Sequence, residues 1–411
     1  MRKTMLGLVS QFTPSLFLDF TKGVVPSAVT CSRNSIATRI NGSGVMETVA
    51  ANVPRIDYDP VTMACRGLLI EESRTNYILN SITPGNWSVA GATVRTPNAT
   101  TAPDGSLVPS FTNTAGQYSG VNMSKPAGFV LANSTSYTIS TLYKCLAASN
   151  PANKRFFWEV NFGSTNNLGN AGFNIATLTT TKSAAITSAT IEDWGGGWYR
   201  AVMTFTTDAA GTPAISGAYI AGYASSTDTC TLAFFGAQLE PGAFATSIIP
   251  TTTAAVTRGA DICTLNAGAW LNQNAGTFLV ETYHASAATV AGGARILAIG
   301  TGPSTMLHFG YNTPATNRTE SYNGTAVTGV TGSRTTGTIK HGCAFDANGR
   351  SVTREGLAVG TDTNLVASYG AFSSFMLGNR GGGTGAINSH YRKLTYYPRR
   401  VPNSLMQALT T

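Results

Sequence analysis

The chain has 411 residues, more than a single core usually serves, and its length predicts two or three domains. Charged residues make up only 11%, and 44 glycines with abundant Thr, Ser, Asn and Ala fill the space, a composition that suits sheet faces and tight turns and disfavours helices. A hydrophobic content of 42%, with 18 Phe, 15 Tyr and 5 Trp, excludes a disordered chain, and a net charge of +8 spread without any Lys/Arg run excludes a nucleic-acid arm. The charge fits an anionic glycan or another negatively charged surface at least as well.

At the N-terminus, Arg2 and Lys3 precede a short apolar run, Met5–Val9, that breaks at Ser10 and Gln11 without a cleavage site. No stretch approaches the length of a membrane span, so the chain reads as soluble, unprocessed and without membrane insertion. Residues 1–80 hold short strand-like pieces such as SLFLDF (15–20), and Asn41-Gly42 marks a hairpin turn. Pro54 and Pro60 punctuate the run before GLLIEESRTN (67–76), where Leu68, Leu69 and Ile70 are expected to bury. Its Glu71, Glu72 and Arg74 have two readings, a catalytic carboxylate pair or an ion-paired junction that orients the next module, and the second is preferred. This region reads as an N-terminal connector, too short to cover its own apolar residues and so expected to dock on other subunits or on a partner.

Residues 81–250 alternate at period two between turn signals. Tyr137, Ile139, Tyr143 and Cys145 share a face, as do Phe156, Trp158, Val160 and Phe162. Tyr199, Ala201, Met203 and Phe205 form another, with Trp198, Arg200 and Val202 opposite. The run PTTTAAVTRGAD (250–261) is a linker or a closing edge strand. Residues 262–411 repeat the alternation in GTFLVETYH, RILAIG, TMLHFGYN and IKHGCAFD, with hairpin turns at Asn323-Gly324 and Asn348-Gly349. Ser404 and Gln407 fit a capping box opening one short helix, docked through Leu405 and Leu409. Many short strands without intervening helices predict an all-β chain of two antiparallel β-sandwich, jelly-roll-like domains behind the connector.

Chemistry-bearing motifs are sparse. There is no GxSxG elbow, no HExxH, no Walker sequence and no dinucleotide fingerprint. His284, His308, His341 and His390 are scattered and read as structural or surface residues, with His308 alternating with Met306 on a half-buried face. Asp346 and Asn348 open a calcium-like loop, but its bidentate Glu is missing. No catalytic residue, metal site or cofactor is predicted. Glycan hydrolysis needs two carboxylates, and the 19 acidic residues show no dyad. The one candidate binding motif is DWGGGWYR, in which an exposed Trp194 would stack on a sugar ring while Asp193 and Arg200 bind hydroxyls. The competing reading puts these tryptophans in the core. Trp194 is the better exposed candidate, because it precedes the glycines.

Five segments carry a resemblance: GLLIEESRTN (67–76), GAQLEPGAFATSIIPTTTAAVTRGAD (236–261), AANVPRIDYDP (50–60), GGGWYR (195–200) and YYPRRVPNSLMQALT (396–410). Together they resemble signatures of modular virion proteins of tailed bacteriophages, the tail-fibre and head-fibre class. The resemblance implies a connector or virion-attachment region at 1–80, a jelly-roll carbohydrate-binding-like domain at 81–261 and a laminin-G/concanavalin-like sandwich at 262–411. It implies a non-enzymatic virion structural protein that displays lectin-like sandwiches for host attachment. A capsid decoration or cementing protein is the alternative, and a glycan depolymerase the third. Implied partners are further copies in a homotrimer, virion proteins through the N-terminal region, and host-surface glycan; nucleic acid is not among them. Assembly in the host cytoplasm then predicts that Cys31, Cys65, Cys145, Cys230, Cys263 and Cys343, which include no CxxC pair, remain free thiols.

Overall fold

The computed structural model describes residues 12–117, 119–161, 168–208, 215–220, 227–285, 293–299, 307–311, 318–322, 327–331, 335–363, 373–379 and 385–411. Among them, regular structure is antiparallel strand apart from the helix Asn403–Leu409 and two 3-10 turns. The all-β sandwich class predicted from period-two patterning is the fold found.

One sandwich occupies the middle of the chain. Its first sheet runs, in spatial order, Ile186–Asp193, Tyr199–Thr206, Ser136–Ala148, Cys230–Pro241, Leu107–Thr112, Val94–Thr101. The second runs Thr179–Lys182, Leu168–Asn174, Arg155–Asn161, Ile215–Ile220, Ser119–Asn122, Ser88–Gly91. The alternation places Tyr137, Ile139, Tyr143, Phe156, Trp158, Val160, Ala201, Met203 and Phe205 in one shared core, with Cys145 half-buried at its edge. Phe156 stacks on Phe173 at 5.3 Å and meets Trp158 edge-on at 5.2 Å, geometries that suit aromatic quadrupoles.

The other sandwich is built from both ends of the chain. Its eight-stranded sheet orders Gly360–Asp362, Gly349–Arg354, Gly337–Asp346, Gly276–His284, Ser389–Tyr397, Cys65–Ile70 and Ile56–Tyr58, and Leu16–Asp19 also pairs with Ser389–Tyr397. The facing sheet orders Val29–Ser32, Ile262–Asn266, Ser374–Leu377, Ala294–Ile299, Leu307–Tyr311, Arg318–Tyr322 and Val327–Thr331. Residues 12–80 are therefore not a separate connector. Leu18, Phe20, Leu68 and Ile70 are buried with Phe278, Leu394 and Tyr396 in this chain's own core, which removes the reason for expecting them to dock elsewhere. The correction follows from strand pairing: Leu68, Leu69 and Ile70 lie opposite Tyr391, His390 and Ser389. Gly67, at φ +114°, permits that approach, since a Cβ there would stand 2.4 Å from the Tyr391 carbonyl oxygen. The middle sandwich is thus an insertion into the outer one.

Other local expectations shift. Cys31 and Cys263 are a disulfide, not two of six free thiols. They sit directly opposite on Val29–Ser32 and Ile262–Asn266, with Cα atoms 4.1 Å apart, a contact spacing alone could not reveal. Cys65, Cys145, Cys230 and Cys343 form no disulfide. The hairpin at Asn41-Gly42 exists, but its turn is wider, with Asn41 N–H donating to the Val45 carbonyl and Gly44 taking φ +77°. At Asn348-Gly349 the turn residues are Ala347 and Asn348, because Asp346 pairs with Gly349. The helix begins at Asn403 behind Pro402, which offers no capping side chain, so Ser404 and Gln407 form no capping box. Gln407 instead donates to the Gly356 carbonyl, while Leu405 and Met406 bury against Ala344 and Val401, with Leu409 packed beside them. Phe162, the Asn323-Gly324 turn, Met306, the His308 side chain and the N-terminal run through Gln11 lie outside the described residues.

The sandwiches meet through the two signature segments and through an apolar cluster in which Ile40 and Met46, from the hairpin at 37–49, pack with Leu142, Trp198 and Phe235. Arg74–Asn76 pairs antiparallel with Val256–Arg258, so the chain leaves and re-enters the outer sandwich at one point. Beside this ribbon, Arg55 pairs with Glu71 at 2.8 Å and with Asp261, Arg258 with Glu71 at 3.0 Å, and Arg33 with Asp261 at 2.8 Å. Ser247 donates to both Glu71 oxygens, at 2.7 Å from its backbone N–H and 2.6 Å from its hydroxyl. Glu240 accepts from Gln238 and from Thr246, whose hydroxyl also accepts from Arg258. Asn76 donates to the carbonyls of Ala237 and Ile249 and accepts from Leu239. Glu72 pairs with Arg74 at 2.5 Å, and Arg74 lies over the Phe244 ring. The Glu71/Glu72/Arg74 cluster is an ion-paired junction.

Burial alone would raise the Glu71 pKa, but the Arg258 and Arg55 guanidiniums and the Ser247 hydrogen bonds hold it well below the usual range. A depressed folded-state pKa means that this stabilisation is complete above the ordinary value of 4.5 and is lost as pH falls below it. Glu71→Gln should destabilise the chain by about 3–5 kcal/mol at neutral pH, because it strands buried guanidiniums. Denaturant unfolding should show that deficit shrinking as pH drops below the Glu range; a deficit independent of pH would contradict the assignment. Alkylation of non-reduced protein followed by peptide mass spectrometry should find Cys31 joined to Cys263 and the other four cysteines alkylated.

Candidate functional site

Insertion of one sandwich into the other leaves a cleft of about 530 Å³ at their junction. One wall is the outward face of the first sheet of the inserted sandwich. Because Ala201, Met203 and Phe205 point into the core, period two turns Arg200, Val202 and Thr204 toward the cleft. The neighbouring strand adds Ser188, Thr190 and Glu192, with Glu192 directly opposite Arg200. The floor is the segment 243–248, held by the junction described above. The far wall belongs to the outer sandwich and includes Asp57, Arg66, Tyr283 and His390.

All three residues predicted from DWGGGWYR line this cleft. Trp194 and Trp198 flank a tight turn in which the Trp194 N–H donates to the Trp198 carbonyl and Gly195, Gly196 and Gly197 all have positive φ. The two tryptophans then part. Trp198 is 4% exposed, packs on Phe235 and donates its indole N–H to the Thr101 carbonyl, so the core reading holds for it. Trp194 is half-buried, with part of its ring in the cleft. Asp193 is exposed and accepts the Gly195 N–H. A Cβ on Gly195 would stand 2.7 Å from the Pro60 carbonyl oxygen, so this turn rests on the outer sandwich and closes one end of the cleft.

Arg200 is unlike the arginines of the junction. It is 5% exposed, yet no carboxylate pairs with it; Nη2 donates to Ser140 Oγ at 3.0 Å and to the Thr246 carbonyl at 2.7 Å. Its guanidinium lies 5.8 Å from the Trp194 ring centroid. A buried cation balanced by hydroxyl, carbonyl and ring, with Nη1 unengaged, is suited to donating to a ligand oxygen.

The far wall was not legible in the sequence. His390, read there as a lone structural histidine, bonds Asp57 Oδ2 through Nε2 at 2.7 Å, and its buried Nδ1 has no partner. Arg66 pairs with Asp59 at 2.9 Å and lies over Tyr283. Burial would raise the Asp59 pKa, but the Thr62 and Val61 amides and Arg66 lower it on balance. No motif joins these residues, since they come from strands distant in sequence. Among the cleft carboxylates, Glu71 is held by arginines and Ser247 and Asp57 by His390 and the Ile40 N–H, while Glu192 and Asp193 are exposed. Among the described residues no three His, Cys, Asp or Glu side chains converge to hold a metal ion.

No protein-family model matches the chain, and no curated protein matches it. Solved structures match it only at low identity and low TM-score. The Ruminococcus gnavus IT-sialidase CBM40 is similar at 14% identity over 34% of this chain and 84% of its own, with a TM-score of 0.28. Mouse laminin alpha1 chain domains LG4-5 are 9% identical over 67% of this chain and 85% of theirs, with a TM-score of 0.23. Trypanosoma rangeli sialidase in complex with sialic acid is 10% identical over 77% of this chain and 52% of its own, with a TM-score of 0.30.

Proposed function

We propose that this chain is a non-enzymatic structural protein of a tailed-bacteriophage virion, a tail or head fibre, that displays its sandwiches to bind host-surface glycan. The observation that carries the glycan reading is the open cleft in which Trp194, Arg200 and Asp193 converge. A half-exposed indole meets the apolar C–H face of a sugar, a fixed guanidinium donates to ring or hydroxyl oxygens, and carboxylates accept from hydroxyls. Pockets at domain junctions, largely preformed, are usual binding places. The virion reading rests on the five signature segments. Two of them, 67–76 and 236–261, are paired where the insert begins and ends, which supports it, because an insert whose two ends meet suits a modular architecture. Homotrimeric assembly, virion attachment through the N-terminal region and a virion location belong to this reading and rest on the resemblance. The non-enzymatic reading is supported by Glu71 and Asp57, two of the four carboxylates lining the cleft, whose oxygens bond structural partners.

The test is retention of the full chain on arrayed bacterial capsular and O-antigen polysaccharides. Trp194→Ala should weaken retention about tenfold or more, the equivalent of one good contact. Its thermal unfolding should stay cooperative, because the indole is only partly in the core. A Trp194→Ala chain that unfolds would place Trp194 in the core alone. Parent protein that binds no polysaccharide but saturates capsids lacking it would replace attachment with capsid decoration.

A further inference from the structure

The two walls of the cleft repeat one chemistry. On the inserted sandwich the Arg200 guanidinium lies over Trp194 at 5.8 Å, and on the outer sandwich the Arg66 guanidinium lies over Tyr283 at 5.2 Å. Both rings are half-buried, and all four residues line the cleft. Each guanidinium is anchored through Nη2, Arg200 by Ser140 and Thr246 and Arg66 by Asp59. In both, Nη1 has no acceptor among the described residues. Polar groups stand beside each pair: Glu192 opposite Arg200 in the ladder, and His390, with its unpartnered Nδ1, on the Tyr283 wall.

A single sugar ring resting on Trp194 uses one of these platforms. A ligand that uses both must touch both sandwiches at once. The geometry points to Tyr283 and Arg66 as a second sugar subsite, and to an internal stretch of an extended oligosaccharide, not a terminal monosaccharide, as the ligand class. This rests on the glycan reading above. The junction that fixes the walls relative to each other makes the second contact effectively intramolecular, so affinity should grow with ligand length.

The full chain is first screened on the polysaccharide array, and the polymer it retains is hydrolysed into size-graded fragments. Titration calorimetry then compares the disaccharide with the hexasaccharide. The hexasaccharide should bind the parent about tenfold or more tighter. Tyr283→Ser should bring the hexasaccharide down to the parent's affinity for the disaccharide, and Arg66→Gln should reproduce the loss without removing the ring, which guards against a sheet disturbed by Tyr283→Ser. Trp194→Ala should weaken both fragments. Equal affinity of the parent for both lengths, or a length advantage that survives both Tyr283→Ser and Arg66→Gln, overturns the second subsite and leaves the glycan reading standing. A chain that retains no polysaccharide overturns the glycan reading and the second subsite together.

Discussion

The arrangement of this molecule depends on a buried charge cluster, in which Arg33, Arg55 and Arg258 meet Glu71, Asp261 and Glu240. Taking ions out of water costs several kcal/mol each, and attraction offsets this only where geometry is good and the remaining polar atoms are satisfied. Here Ser247, Thr246 and Gln238 supply further bonds, while Arg55 Nε and Arg258 Nε stay unpartnered. Directional partners of this kind define one placement of two segments, where an apolar contact of the same area would tolerate sliding. Segments 67–76 and 236–261 are far apart in the chain and adjacent in space for this reason.

From that junction follows the architecture. Among the described residues, strands within 16–70 and 262–397, the hairpin at 37–49 apart, share one sandwich, closed further by the Cys31–Cys263 disulfide, and strands within 88–241 form a second. Because the insert leaves and returns through the paired strands Arg74–Asn76 and Val256–Arg258, its sheets stand beside the outer sandwich and do not extend it. The groove beside the junction is lined by outward-facing residues of both sandwiches, and the same outward face of the inserted sheet also packs Leu142, Trp198 and Phe235 against Ile40 and Met46.

The chemistry of the groove follows from strand periodicity. On Tyr199–Thr206, residues facing the core are Ala201, Met203 and Phe205, so the intervening Arg200, Val202 and Thr204 face outward. On an isolated sandwich Arg200 would be an ordinary surface cation. Against the outer sandwich and segment 243–248 it becomes buried and ring-stacked, with hydroxyl and carbonyl partners. The same desolvation that strengthens its interactions makes an unengaged Nη1 a strong donor for whatever enters.

The sequence by itself determined what is local. Period two assigned the strands and their buried faces, as with Phe156, Trp158 and Val160, because a pleat sends alternate side chains to opposite sides. It also marked Asp193, Trp194 and Arg200 as neighbours, since a Gly-rich turn folds a strand back on itself within a few residues. Only the tertiary structure decided which strands pair over long separations. It placed Cys65–Ile70 against Ser389–Tyr397, which turned a supposed connector into core, and Cys31 against Cys263. It brought Arg66, Tyr283 and His390 to the far wall of the cleft. Hydrophobic burial is non-directional and leaves no mark in sequence of which partner covers a face, so these choices belonged to the folded chain.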